Sequence, residues 1–582
     1  MVLDLNKFVN MSGPFFKRSV AMPFFLAALL IFLSSFGGLA PSSLALETNY
    51  QNPVTAAPPL SVPNTPSCTE TLISNYAFGS SGYDNPAVGT YTPPSGCTPP
   101  WSMIVLTFSG NVAGRQFDRE TEMWLGGAMI YMGTTPEPTQ QGISWKVQKD
   151  VSEYYTLFTQ PEPYVIRLPN FVGVSGGVAY TGVEYITVTL TFYETSSQYP
   201  EAAHPDAVIG ISNNNWIFDG GRTPVSASPV TLPRNIDSLY LELWAKGNSC
   251  DEFWYASQPD AYASANGLCG GGAFREIQVS IDGKLAGVVW PFPYIFTGGI
   301  NPLLWRPIPA VGAFNEAPYV LDLTPFVGML TDGKPHTISF TVVNNGFYWQ
   351  LGGNLLVHED PSLKVTTGAL TVYNIAPEAT QSVSSNVHST SASFDFTASR
   401  TSEISGYVIT SQGKVTTTIT QAMSFTNDQV LNLINFLENL KGTEDITTAT
   451  TVSGPSGTTT MTVTDSYPIS MSSAFIIPVA LFTSPNPNLE LLRFNLPATV
   501  TETFDRVVTV STDGTVIFSS SLSDTTSGQG VLAESLTNGN VLVASGQDSE
   551  HYIYSDSTGA CYNHYIAAAQ GFVNTDHISP NC

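Results

Sequence analysis

Between Val183 and Glu194 the chain alternates: Ile186, Val188, Leu190 and Phe192 are apolar, and Thr187, Thr189 and Thr191 stand between them. A period of two puts each set on its own face, so this stretch predicts a strand with one buried side. Shorter runs of the same kind recur along the chain, cut by 48 Gly and 41 Pro in 582 residues. Proline removes a backbone donor and clashes with the preceding helical turn, and glycine weakens a helix by about 1 kcal/mol. Punctuation this dense argues against a helical bundle and favours short strands joined by turns. The 42% hydrophobic fraction supplies folded cores. At about 150 residues per domain, the length predicts three to four domains.

The N-terminus has the layout of an export signal. Lys17 and Arg18 precede the apolar run Phe24–Leu33, and Ser43-Leu44-Ala45 offers a small-residue cleavage site. Residues 1–45 are therefore expected to be a cleaved signal peptide, with a retained anchor as the alternative. A Pro/Ser-rich linker, 46–66, leads into a first strand-rich unit, 67–203. A break at Pro200–Asp206 opens a second unit, 204–368, with strands expected over Ser238–Ala245, Glu276–Ile281, Lys284–Val289 and His336–Val343. Asp282-Gly283 is a hairpin signal between two of them. Two successive all-β units of this size suggest sandwiches or jelly rolls.

After Ala369 the chain becomes rich in Thr and Ser, and 369–582 is expected to form a third β domain acting as support or as a spacer from the cell surface. Within it Thr426, Gln429, Val430, Leu433, Ile434 and Leu437 fit a capped helix. The six cysteines fall into three local pairs, Cys68 with Cys97, Cys250 with Cys269 and Cys561 with Cys582. In an exported chain they read as disulfides. None has C-x-x-C spacing and no histidine cluster accompanies them, which argues against zinc.

There are 21 Lys+Arg against 46 Asp+Glu, a net charge of −25, with only 12% charged residues. The acidic balance argues against nucleic-acid partners. A chain poor in both kinds of charge builds little cationic repulsion at low pH, which is compatible with an acidic extracellular setting. The chain has no H-E-x-x-H, no Walker loop and no dinucleotide fingerprint. Gly173-Val174-Ser175-Gly176-Gly177 spells G-x-S-x-G, but a turn and a strand follow it, not the helix a nucleophile elbow needs.

Carboxylates beside aromatics remain. On strand geometry Asp118, Glu120, Glu122 and Trp124 share a face, flanked by Arg115 and Arg119. Either this is a solvated face, or Trp124 is a plate for a sugar ring with acids for its hydroxyls. Glu194 is in phase with the apolar face of its strand, so it either faces the core as a perturbed acid or escapes at the strand end. Cys250-Asp251-Glu252-Phe253-Trp254-Tyr255 places acids between aromatics on a stapled loop. Trp290–Pro307 reads as a structured loop that packs on, or lines, a site.

Gln116-Phe117-Asp118-Arg119, Trp124-Leu125-Gly126-Gly127, Thr135-Pro136-Glu137-Pro138, Trp145–Val151, Phe274-Arg275-Glu276 and Thr297–Pro307 closely resemble the plant-type peptide N-glycosidase A family of glycoamidases, over roughly residues 55–360. A more distant likeness is to the bacterial peptide N-glycosidase F type. These resemblances imply an all-β fold of two adjacent eight-stranded antiparallel jelly rolls, here with the C-terminal β-rich domain added. They imply hydrolysis of the amide between Asn and the first N-acetylglucosamine of an N-glycan, favoured at acidic pH, with no metal or cofactor. N-glycosylated peptides and glycoproteins would be the substrates of a secreted or cell-surface monomer, free of the membrane once the signal is cut. By motif, Asp118, Glu252 and Glu194 take the catalytic places, and Asp251 or Glu184 are alternatives for the latter two. Arg119 and Arg306 would bind hydroxyls or developing negative charge, and Trp124, Trp254 and Trp305 would stack on the glycan. The competing readings are a non-catalytic glycan-binding or cell-surface structural protein and, with less support, an exported acid protease.

Overall fold

A computed structural model describes residues 49–175, 178–220, 224–434, 436–476, 493–535 and 541–582. The expected signal peptide, 1–45, lies outside them, as do Gly176 and Gly177. The described chain is all-β, with only short helical turns.

The period-two run forms the strand Glu184–Glu194, and Ile186, Val188, Leu190 and Phe192 are all buried. It lies inside a four-stranded antiparallel sheet between Ser67–Phe78 and Trp101–Val112, with Ile143–Asp150 beyond. A second four-stranded sheet holds Ala87–Tyr91, Glu162–Arg167, Glu120–Leu125 and Ala128–Thr134. One apolar core fills the space between the two sheets. All three expected disulfides are formed.

The second unit is also a two-sheet sandwich. One sheet holds Ala207–Gly210, Ile217–Asp219, Tyr348–Glu359, Ile236–Asn248 and Tyr319–Asp322. The other holds Val225–Ser226, Ile338–Val343, Glu276–Ile281 and Lys284–Val289. Asp282 and Gly283 both have positive φ, 48° and 79°, as a tight two-residue hairpin turn requires. The two sandwiches meet at backbone distance: Asn354 Nδ2 donates to Met129 O (2.7 Å) and its Oδ1 accepts from Met129 N (2.9 Å). A Cβ on Gly210 would lie 1.9 Å from Gly127 O, so the seam needs glycine there.

The C-terminal third is a 12-stranded antiparallel sheet with strands of up to 21 residues. Its Thr/Ser content forms cross-strand hydroxyl pairs such as Thr447 with Thr464, Thr451 with Thr460 and Thr503 with Thr525. Phe394, Phe425, Leu431 and Val500 join the second sandwich in one continuous core. Buried Arg400 pairs with buried Glu276 across that contact (2.7 Å).

The expected helix is corrected. Residues 413–432 form a strand in which Met423, Phe425, Asn427, Gln429 and Leu431 point inward and Val430 is exposed. Buried Asn427 and Gln429 donate to the carbonyls of Tyr255 and Ser257, so polar side chains occupy core-facing positions and mask the alternation. The lead expected as a linker is docked on this sheet. Val573 N donates to Gln51 Oε1 (2.9 Å) and Ala56 N donates to Glu550 Oε2 (2.7 Å).

Candidate active site

Charge collects where the first sandwich faces the second. Asp118 and Arg119 lie in the turn entering the strand Glu120–Leu125, and both are partly exposed. Arg119 is held by neutral groups: its Nε donates to buried Asn170 Oδ1 (3.2 Å) and its Nη2 to buried Gln116 Oε1. Neutral partners leave the guanidinium charge available to Asp118 and Glu184, both of which feel it. Thr134 Oγ1 donates to Asp118 Oδ2 (3.3 Å). Burial pushes the Asp118 carboxyl up to about 6, against the pull of Arg119 and Lys246.

Glu252 comes from the second sandwich, on the helical turn Ser249–Ala256 that follows the strand Ile236–Asn248. The Cys250–Cys269 bridge and Asp251 fix this turn. Asp251 is fully buried, bonds Arg275 through Oδ1 (2.6 Å), and through Oδ2 accepts from Gly346 N (2.8 Å) and Phe347 N (2.6 Å). Asp251 is thus a structural anchor, and its neighbour Glu252 is left partly exposed at the seam. Burial pushes Glu252 up to about 7, opposed by Lys246 and reinforced by the negative charges of Asp118 and Glu120. Glu252 thus feels the charge of Asp118, and Lys246 acts on both acids. Lys246 donates to Glu120, and the attraction of Glu120 and Glu252 outweighs burial and keeps it protonated.

Of the two alternatives for Glu194, the structure shows the escape at the strand end. The residue is exposed, because the register slips between Tyr193 and Glu194 and the Glu194 N–H bonds Pro66 O (2.9 Å). The carboxylate that does face Asp118 is Glu184, at the other end of the same strand, about 33 Å away at 3.3 Å per residue. Glu184 is fully buried, neither carboxyl oxygen has a hydrogen-bond partner among the described residues, and burial raises its pKa well above the ordinary value.

Arg306, on the long loop after Val289, reaches the same seam. It pairs with Glu137 of the first sandwich, lies 5.6 Å from the Tyr50 ring, and feels the charge of Asp118. Glu137, Lys246, Tyr50 and Glu316 were not singled out from sequence. Three of them are isolated in pattern, and only Glu137 lay within a quoted motif.

The three tryptophans nominated as stacking plates are corrected. Trp124, Trp254 and Trp305 are 0%, 4% and 2% exposed. Trp124 meets Trp216 edge-on at 6.0 Å beneath Arg167, and the other two belong to the second unit's core, so none offers a free face. Open aromatic rings lie elsewhere. Tyr83, Phe218 and Phe347 are 57%, 53% and 52% exposed, and Tyr348 lies 5.5 Å from Phe347 and 6.3 Å from Phe218. Tyr348 feels Lys246, Glu120, Glu252 and Tyr83, so this rim borders the acids. No periodicity marks Phe347 and Tyr348, because a turn fixed by Asp251 presents them. Among the described residues no group of three or more His, Cys, Asp or Glu is arranged to hold a metal ion.

The family described as peptide N-acetyl-beta-D-glucosaminyl asparaginase amidase A matches residues 57–376. The chain belongs to this family. Peptide-N4-(N-acetyl-beta-glucosaminyl)asparagine amidase A of Prunus dulcis is 35% identical over 400 residues, covering 64% of this chain and 68% of that protein. Among solved structures, a peptide-N(4)-(N-acetyl-beta-D-glucosaminyl)asparagine amidase is 14% identical and covers 52% of this chain and 98% of its own, with a TM-score of 0.33. Peptide N-glycanase F of Flavobacterium meningosepticum is 15% identical and covers 50% of this chain and 96% of its own, with a TM-score of 0.32. The peptide N-acetyl-beta-D-glucosaminyl asparaginase amidase A segment contains Asp118, Arg119, Glu184, Glu252 and Arg306. Tyr50 lies outside it, as does the C-terminal sheet apart from its first strand, Thr367–Ile375.

Proposed function

We propose that this protein is an exported peptide N-glycanase, hydrolysing the side-chain amide between Asn and the first N-acetylglucosamine of N-glycosylated peptides. The observation that carries this reading is the seam itself, which gathers Asp118 and Arg119 from the first sandwich and Glu252 from the second around Lys246, with burial pushing Asp118 up to about 6 and Glu252 to about 7. Between those values Asp118 is the ionised member and Glu252 the protonated one. That is the division of labour amide hydrolysis needs.

Asp118 accepts a proton from water as the oxygen attacks the amide carbon. Arg119 and Arg306 stabilise the negative charge that builds on the carbonyl oxygen. The carbon–nitrogen bond then breaks, and Glu252 supplies the proton that makes the departing nitrogen a neutral amine. Asn becomes Asp, and the glycan leaves as a glycosylamine that loses ammonia in water. Glu184, whose proton affinity burial raises, shapes the electrostatic environment of Asp118 and Arg119. The rim of Tyr83, Phe218, Phe347 and Tyr348 supplies the ring faces that sugars stack on, in place of the buried tryptophans. Export fits the three disulfides and the N-terminal apolar run.

A glycan-binding protein without activity would need the aromatic rim but no acids of unequal proton affinity, so the acid pair favours the enzyme. Incubating a glycopeptide with the protein in heavy-oxygen water, followed by mass spectrometry, tests this. The expected product is a peptide with Asp in place of the linked Asn, carrying the heavy oxygen. A retained glycan on unchanged peptide would establish the binder, and backbone cleavage the protease.

A further inference from the structure

The C-terminal sheet bears three interior glycines at one place. Gly528 stands opposite Asp548 in register, and Gly530 opposite Gly546. A Cβ on Gly528 would lie 3.0 Å from Leu304 Cδ2, one on Gly530 2.8 Å from Asn301 Oδ1, and one on Gly546 2.5 Å from Leu303 O. Glycine inside a strand marks a close approach, and here the loop ending in Arg306 makes it, with its backbone at Gly546 and with side chains at Gly528 and Gly530. Asn301 Nδ2 donates to Leu496 O (2.7 Å) and Val311 N to Glu502 Oε1 (2.8 Å), which fastens the loop on either side.

Asp548 rises from the middle of this tray. Trp305 has φ +66°, a left-handed conformation that residues with a Cβ seldom adopt. There the consecutive N–H groups of Trp305 and Arg306 converge on one carboxylate, at 3.0 Å from Asp548 Oδ1 and 3.2 Å from Oδ2. Successive backbone N–H groups in such a turn form a concavity that binds an anion, and buried Asp548 fills it. The side chain of Arg306 continues from this fixed backbone to Glu137 and the Asp118 neighbourhood.

We propose that the C-terminal sheet belongs to the catalytic apparatus, with Asp548 a positioning residue that sets Arg306 against the reacting amide. This rests on the amidase reading above. A misplacement of roughly 1 Å at a catalytic group costs on the order of 100-fold in rate. Asp548→Asn keeps the shape of the side chain but turns an amide donor toward one of the two N–H groups. It should lower kcat by about 10- to 100-fold, with KM within about twofold and the protein still folding cooperatively at a somewhat lower midpoint. In the double variant with Arg306→Met the second change should cost nothing further, because both remove the same interaction. Gly546→Val, which lifts the loop from the tray without touching Asp548, should reproduce the kcat loss.

A second readout does not depend on activity. An arginine-directed reagent such as phenylglyoxal should spare Arg306 in the wild type and modify it in Asp548→Asn, as read by peptide mass spectrometry of the folded fraction. An inactive wild type overturns the amidase reading and leaves the positioning claim to be decided by Arg306 protection. An active wild type whose Asp548→Asn variant turns over normally overturns this inference alone. Additive losses in the double variant, or equal Arg306 protection in both proteins, would also overturn it.

Discussion

The seam between the sandwiches and the C-terminal sheet both collect carboxylates, and they treat them differently. At the seam Asp118, Glu120 and Glu252 are partly exposed and share the cations Arg119, Lys246 and Arg306. On the sheet Glu502, Asp548 and Glu550 are buried, and each accepts from backbone N–H groups: Glu502 Oε1 from Val311, Asp548 from Trp305 and Arg306, and Glu550 Oε2 from Ala56. Burial raises the proton affinity of Asp118 and Glu252 at the seam and of all three sheet acids. A raised pKa therefore does not mark the reacting site; access and nearby cationic charge do.

The sharpest way to break this comparison is Asp118→Asn. Turnover of a glycopeptide should fall on the order of 1000-fold while the thermal midpoint holds, because a carboxyl group is exchanged for an isosteric amide that cannot take up the proton. Near-normal turnover would reduce the seam to a second structural cluster.

The two ends of the strand Glu184–Glu194 give a smaller contrast. Glu184→Gln should lower the rate about 10-fold or more through its contact with the Asp118 environment, and Glu194→Gln should leave it unchanged. The opposite ranking would return the third acid to the strand end.

The pH–rate profile sharpens the distinction between the two seam acids. Activity should decline below about 6 as Asp118 takes up its proton and above about 7 as Glu252 loses its own. Replacing Glu252 with Gln should remove the alkaline limb at a lower plateau. An unchanged alkaline limb in that variant assigns it to another group.

The smallest effect concerns the sheet. Asp548 stands at about 7 and Glu438 and Glu502 at about 8 in the fold, all above their unfolded values near 4. A folded pKa raised in this way gives stability that is complete below the unfolded value and lost as pH rises through the folded one. The unfolding midpoint should therefore drop by about 5 °C or more between pH 5 and pH 8.5. A midpoint that rises over that range contradicts neutral burial of these acids.

Sequence reading reached the strand Glu184–Glu194, the Asp282-Gly283 hairpin and the three disulfides. It failed where a local rule met a distant partner. Strand phase pointed Glu194 inward, but a register slip at the sheet's end released it. Helical spacing around Val430 looked convincing because Asn427 and Gln429 are core residues, satisfied by carbonyls some 172 positions away. Acids beside Trp124 looked like a sugar site, yet Trp216 had already claimed that indole.

Periodicity, turn chemistry and cysteine spacing act over a few residues, and so the chain alone determined its β class, its hairpin and its covalent staples. Which acids meet, which aromatic rings stay open, and that Arg306 is held by a carboxylate 242 positions further along were decided only when the sheets packed. Burial and Coulomb attraction depend on distance in space, and no local pattern encodes that distance.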